Sequence, residues 1–122
     1  MTGVQTCALP ICRQLDRAVK LPAGISYEAA AATMLKGMTV CYLLRRTFHV
    51  KKGDTVLIHA AAGGIGLIAC QWANALGANV IGTVGSKAKA ELAHANGCHH
   101  TILYREEDFV ARVKEKIGRA HV

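Results

Sequence analysis

From residue 53 onward the apolar positions alternate between two periods. Thr55-Val56-Leu57-Ile58-His59-Ala60 is a short β-branched run with no polar face, the pattern of a strand buried on both sides. Leu67, Ile68, Cys70, Trp72 and Ala75-Leu76 then recur at helical spacing, and Gly77 closes the helix as a C-terminal stop. The alternation repeats. Asn79–Val84 reads as a second buried strand, Ser86 opens a helix over about Lys87–Ala95, and Asn96-Gly97 ends it. Residues 100–104 predict a third strand, and residues 106–116 a last helix with acids at its start and bases at its end, as the helix dipole favours. A β-α-β-α-β-α order implies an α/β fold with a parallel sheet and right-handed crossovers.

Upstream of this unit the pattern is helical. Ser26 precedes Tyr27-Glu28-Ala29-Ala30-Ala31-Ala32, a capping side chain followed by an acid and an alanine-rich body. Lys36-Gly37 reads as a break, after which Val40, Leu43, Leu44 and Phe48 resume at helical spacing, with Arg45, Arg46, Lys51 and Lys52 on the solvated face and exit. Residues 13–22 read as a connector or edge strand stopped at Leu21-Pro22-Ala23-Gly24. Both ends look foreign. Residues 1–11 and 117–122 match the translated complementary strands of a common sequencing-library adapter, so neither is expected to have been selected with this core. The expected organisation is residues 1–11 adapter-derived, 12–52 linker and helices, 53–116 a partial cofactor-binding domain, and 117–122 adapter-derived.

Composition narrows the classes. A chain of 122 residues allows one small domain or part of a larger one, and 52% hydrophobic residues exclude disorder. No run approaches the roughly 20 apolar residues of a membrane span. Fifteen Lys and Arg against eight Asp and Glu give +7, which favours anionic partners. Aromatic residues at 5% poorly supply the stacking platforms of single-strand nucleic-acid binding, which argues against nucleic acid as that partner. The five cysteines, Cys7, Cys12, Cys41, Cys70 and Cys98, are odd in number and lack paired spacing. They read as free thiols of a reducing compartment, the cytoplasm.

The candidate chemistry sits after the first strand. Ala61, Gly63 and Gly66 fit G-x-G-x-x-G with alanine in first place, between a predicted strand and a predicted helix. Gly63 lets the backbone approach a pyrophosphate, Gly66 lets the helix pack on its strand, and free amides at the helix start bind the anion. This is the dinucleotide turn of a Rossmann fold, and the predicted elements are the N-terminal half of its doubly wound sheet. NAD-binding sites place an acid about 20 residues further on, at the end of the second strand. Here that strand runs into Gly85-Ser86-Lys87, with Lys89 nearby, which suits a 2′-phosphate and predicts NADPH. Cys98-His99-His100 lacks the spacing of tetrahedral metal ligands. His59 and Cys70 read as packing residues, and His49 and His94 as surface positions. No Ser-His-Asp or paired-carboxylate arrangement stands out.

The run HAAAGGIGLIACQWANALGANVIGTVG, with LPAGISYEAAAATMLKGMT before it and ILYREEDF after it, resembles the NADPH:quinone oxidoreductases, the zeta-crystallin-like, zinc-independent branch of the medium-chain dehydrogenases. The resemblance covers nearly all of residues 13–116. It implies a homodimeric parent with a catalytic lobe and a Rossmann domain, passing hydride from NADPH to a quinone. By matching position it implies a phosphate turn of Ala62, Gly63, Gly64, Ile65 and Gly66, with Ile65 where the family often has valine. It further implies a 2′-phosphate pocket of Gly85, Ser86, Lys89 and Tyr104, with Thr39 and Tyr42 approaching the cofactor from the preceding helix. Most of the catalytic lobe and the second half of the sheet are missing, so no catalytic or metal residue is expected, the acceptor would be held by the missing lobe, and the chain alone is expected to be inactive. Alternative readings are another zinc-independent medium-chain reductase of the enoyl reductase type, or a non-enzymatic NADPH- or RNA-binding protein.

Overall fold

Ser26 starts the first helix as its sequence position requires: its hydroxyl accepts the Ala29 amide at 3.1 Å, and α1 runs over Tyr27–Cys41. The computed structural model describes residues 18–117, so residues 1–17 and 118–122, with both adapter-like ends save Ile117, lie outside the described residues. Two compact units divide the chain between Ala31 and Ala32. In the first, residues 18–22 form no strand, and the Ile25 amide bonds the Pro22 carbonyl at 3.3 Å around Gly24, whose φ is +88°. The edge strand read there is therefore not observed over those residues, and residues 13–17 lie outside the description.

α1 also continues through Gly37, where a break had been expected. Glycine costs a helix only about 1 kcal/mol relative to alanine, and the helical bonds on either side outweigh that. A wider, π-type turn over Tyr42–Thr47 extends the helix, burying Leu44 and leaving Leu43 and Phe48 exposed.

The second unit is built on three parallel strands in the order β1-β2-β3: β1 is Thr55–Ile58, β2 Asn79–Val84 and β3 His100–Leu103. Val56 pairs with Val80, and Gly82 with Thr101. Between the strands run α2, Gly64–Ala75, and α3, Lys87–Ala95, and α4, Phe109–Ile117, follows β3. Gly77, with φ +80°, and Gly97, with φ +91°, end α2 and α3 in the left-handed conformation that glycine adopts without strain. Val80, Ile81, Val84 and Ile102 are buried in the sheet, and Ala69, Cys70 and Ala73 of α2 are buried with them. No described helix is long and apolar enough to cross a membrane.

Two further expectations change. β1 is only half-buried and stops at Ile58, because it is an edge of the described sheet and Ala60, at φ +52°, turns the chain away. α4 begins at Phe109 rather than at residue 106. Asp108 supplies the cap, its Oδ1 accepting the Val110 and Ala111 amides at 3.0 and 3.4 Å, while Glu107 reaches back to accept the Leu103 amide at 3.2 Å.

Candidate functional site

The turn leaving β1 is held by backbone bonds and by one buried hydroxyl. The Gly63 amide donates to the Ala60 carbonyl at 2.8 Å, and the Ala61 amide to the Thr83 carbonyl of β2 at 3.0 Å. Thr83 is 4% exposed; its Oγ1 accepts the Ala60 amide at 3.3 Å and lies 3.2 Å from His59 Nδ1. Gly63 is the N-cap of α2, extended, with no side-chain cap bond. The first amides of α2 thus present the positive end of the helix dipole without a side-chain cap bond. Gly66 seats the helix against the turn: a Cβ there would fall 2.3 Å from the Ala60 carbonyl oxygen and 2.7 Å from Ala61 backbone carbons.

A concavity of about 130 Å³ opens at the end of β2, lined by Ala60, Ala62, Gly63, Val84, Gly85, Lys89 and Tyr104. No carboxylate is among these residues. The Tyr104 ring crosses Gly85, its hydroxyl 2.9 Å from the place a Cβ would occupy. Ser86 is the N-cap of α3, its Oγ accepting the Lys89 amide at 3.4 Å. Its hydroxyl stands beside the concavity rather than in its lining.

A larger hollow, about 710 Å³, lies between α1 and the turn. Thr39 lines it with Gly63, Gly64, Ile65 and Gly66, and the Thr39 hydroxyl donates to the Leu35 carbonyl at 2.9 Å. Tyr42 is elsewhere, in a separate hollow with Met38, Cys41 and Arg46. Two residues that the sequence reading did not assign to a site face the turn. His59, read as a packing residue, is exposed in the hollow, with its ring 5.9 Å from that of Phe109. Lys36 lies across Gly64, with Cε and Nζ 2.9 and 3.0 Å from the position of a Gly64 Cβ. The signal for Lys36 was its spacing: it precedes Thr39 by three residues, which puts both on one helix face.

A family profile described as "Zinc-binding dehydrogenase" matches residues 64–122. The chain is 59% identical over 103 residues to quinone oxidoreductase 1 of Escherichia coli, covering 84% of this chain and 32% of that protein. It is 51% identical over 105 residues to a 2-haloacrylate reductase of a Burkholderia species, again over 84% and 32%. The crystal structure of Escherichia coli quinone oxidoreductase complexed with NADPH superposes with a TM-score of 0.82 at 59% identity, over 85% of this chain and 32% of that one. Over the matched residues the chain is homologous to quinone oxidoreductases. It spans about a third of the length of these relatives.

Among the described residues no group of three His, Cys, Asp or Glu could hold a metal ion. The histidines near Cys98 are engaged structurally. His99 Nδ1 accepts the Val80 amide at 2.9 Å, and His94 bridges the Cys98 carbonyl at 2.8 Å and Thr101 Oγ1 at 3.0 Å. Cys70 and Cys98 are both buried. Hydrogen bonding with Cys98 and then burial push the Cys70 thiol above its ordinary range.

Proposed function

We propose that this chain forms the dinucleotide-binding part of an NADPH-dependent quinone oxidoreductase. The observation that carries the reading is the turn and β2-end concavity, in a fold 59% identical to an enzyme crystallised with NADPH. The residues fit the cofactor on local grounds. A glycine turn brings uncapped helix amides into the open for a diphosphate, and a hollow free of carboxylates carries Lys89 and Tyr104 for a 2′-phosphate. Ala62, Gly63, Gly64, Ile65 and Gly66 would hold the diphosphate; Gly85, Ser86, Lys89 and Tyr104 would hold the 2′-phosphate. Thr39 would approach from α1. Tyr42 would need part of the cofactor to reach its separate hollow.

When bound, NADPH supplies the hydride, and these residues bind and orient it. The acceptor is a quinone or a similarly activated alkene or carbonyl, held by parts of the enzyme outside this third of its length. The chain alone is therefore expected to bind cofactor without steady turnover. Assembly as a homodimer and residence in the cytoplasm belong to the same proposal, resting on the family resemblance and on the unpaired cysteine spacing.

Titration of NADPH and NADH into wild type and Lys89→Ala tests the cofactor assignment. A charge-assisted hydrogen bond contributes about 1.5–3 kcal/mol, and each 1.4 kcal/mol is about tenfold in affinity. Lys89→Ala should weaken NADPH roughly tenfold or more and leave NADH nearly unchanged. An equal loss for both, or a wild-type preference for NADH, refutes the reading.

A further inference from the structure

We propose that Lys36 of α1 is a positioning residue for the diphosphate, an inference that rests on the cofactor reading above. Two positive features meet at Gly64. One is the start of α2, where the N-cap is Gly63 and no side chain makes a cap bond to the amides. The other is the Lys36 ammonium, whose Nζ lies 3.0 Å from where a Gly64 Cβ would stand. A cation at the positive end of a helix opposes the dipole and is ordinarily disfavoured there. The described ion pairs join Arg112 to Glu107 and Glu115, and none involves Lys36. The two positive groups share a hollow with Thr39 and no carboxylate lines it, so an anion is the group that would relieve both.

Gly64 acquires a definite part in this arrangement. It is the residue whose missing side chain lets the Lys36 stem lie on the helix start, since a Cβ would stand 2.9–3.1 Å from the stem's last atoms. The flexible lysine stem can lift to admit an anion between ammonium and amides, which a fixed backbone group cannot do. The two lysines near the turn then divide the work. Lys89 faces the β2-end hollow and discriminates between cofactors, whereas Lys36 faces the turn and holds the diphosphate common to NADPH and NADH.

The test is a binding titration of the purified chain with NADPH, NADH and adenosine 2′-monophosphate at two salt concentrations, using wild type, Lys36→Met and Lys36→Arg. Lys36→Met should weaken NADPH and NADH by the same factor, roughly tenfold, and flatten the salt dependence of both. Adenosine 2′-monophosphate, which carries no diphosphate, should bind as before; Lys36→Arg should retain most of the affinity; and the unfolding midpoint of Lys36→Met should not fall, since the substitution removes a cation that opposes the helix dipole. Unchanged dinucleotide binding in Lys36→Met, a loss confined to NADPH, or an equal loss of adenosine 2′-monophosphate would overturn the role of Lys36 while leaving the cofactor reading in place. A wild-type chain that binds neither dinucleotide would overturn both.

Discussion

Gly66→Ala adds one methyl group at the point where α2 meets the turn, and the structure fixes what that methyl would strike. Its Cβ would sit 2.3 Å from the Ala60 carbonyl oxygen and 2.7 Å from the Ala61 carbonyl carbon and Cα. All three are backbone atoms, in a turn tied to β2 by the Ala61 to Thr83 bond, so none can rotate aside. Overpacking of this kind costs about 1–3 kcal/mol, and rigid backbone places it near the upper end. Alanine returns about 1 kcal/mol through helix propensity, which leaves a net loss of about 2 kcal/mol. With a urea slope near 2 kcal/mol per molar, the unfolding midpoint should fall by about 1 M. Trp72, the single tryptophan, packs against the core and reports the transition by fluorescence. Gly37→Ala is the control: it is also helical, but nothing lies within 4 Å of its Cβ position, so it should gain up to about 1 kcal/mol. The two substitutions are the same chemistry with opposite expected signs. A Gly66→Ala midpoint equal to or above wild type would refute the close-packing argument.

Thr83→Val keeps the shape of a buried side chain but removes the acceptor of the Ala60 amide and the partner of His59, and should cost about 1–2 kcal/mol in the same urea titration; an unchanged midpoint would show that the hydroxyl does not hold the turn. Gly85→Ala meets only the end of the half-exposed Tyr104 side chain, so the ring should swing out with stability within about 0.5 kcal/mol, while NADPH affinity falls more than NADH affinity in paired titrations. Iodoacetamide at neutral pH should modify Cys41 in the native chain before Cys70 or Cys98, because both of the latter are buried and the Cys70 thiol is held above its ordinary range; peptide mass spectrometry showing equal labelling would contradict that burial.

The elements most fully legible in the sequence are those that end on local chemistry. β2 occupies Asn79–Val84 and α3 Lys87–Ala95 as read, because Ser86 caps the helix start and Gly97 takes the left-handed conformation after its end. The glycine turn was legible for the same reason: a strand, a run of small residues and a helix are consecutive in the chain. What the tertiary structure decided depends on residues far apart in sequence. β1 reads as a strand buried on both faces, yet its burial depends on neighbours on each side, and in the described sheet only β2 pairs with it. His59 reads as apolar-run packing but faces the hollow, because Ala60 turns the chain at φ +52° just beyond the strand. The break at Gly37 was a local preference of about 1 kcal/mol, which the continuous helix overrides. The convergence of Lys36 on Gly64, and of Tyr104 on Gly85, is set by how helices and strands pack. Capping and turn energies act within a few residues and so are written into short stretches of sequence, whereas side-chain convergence arises only once non-local burial has fixed the elements against one another.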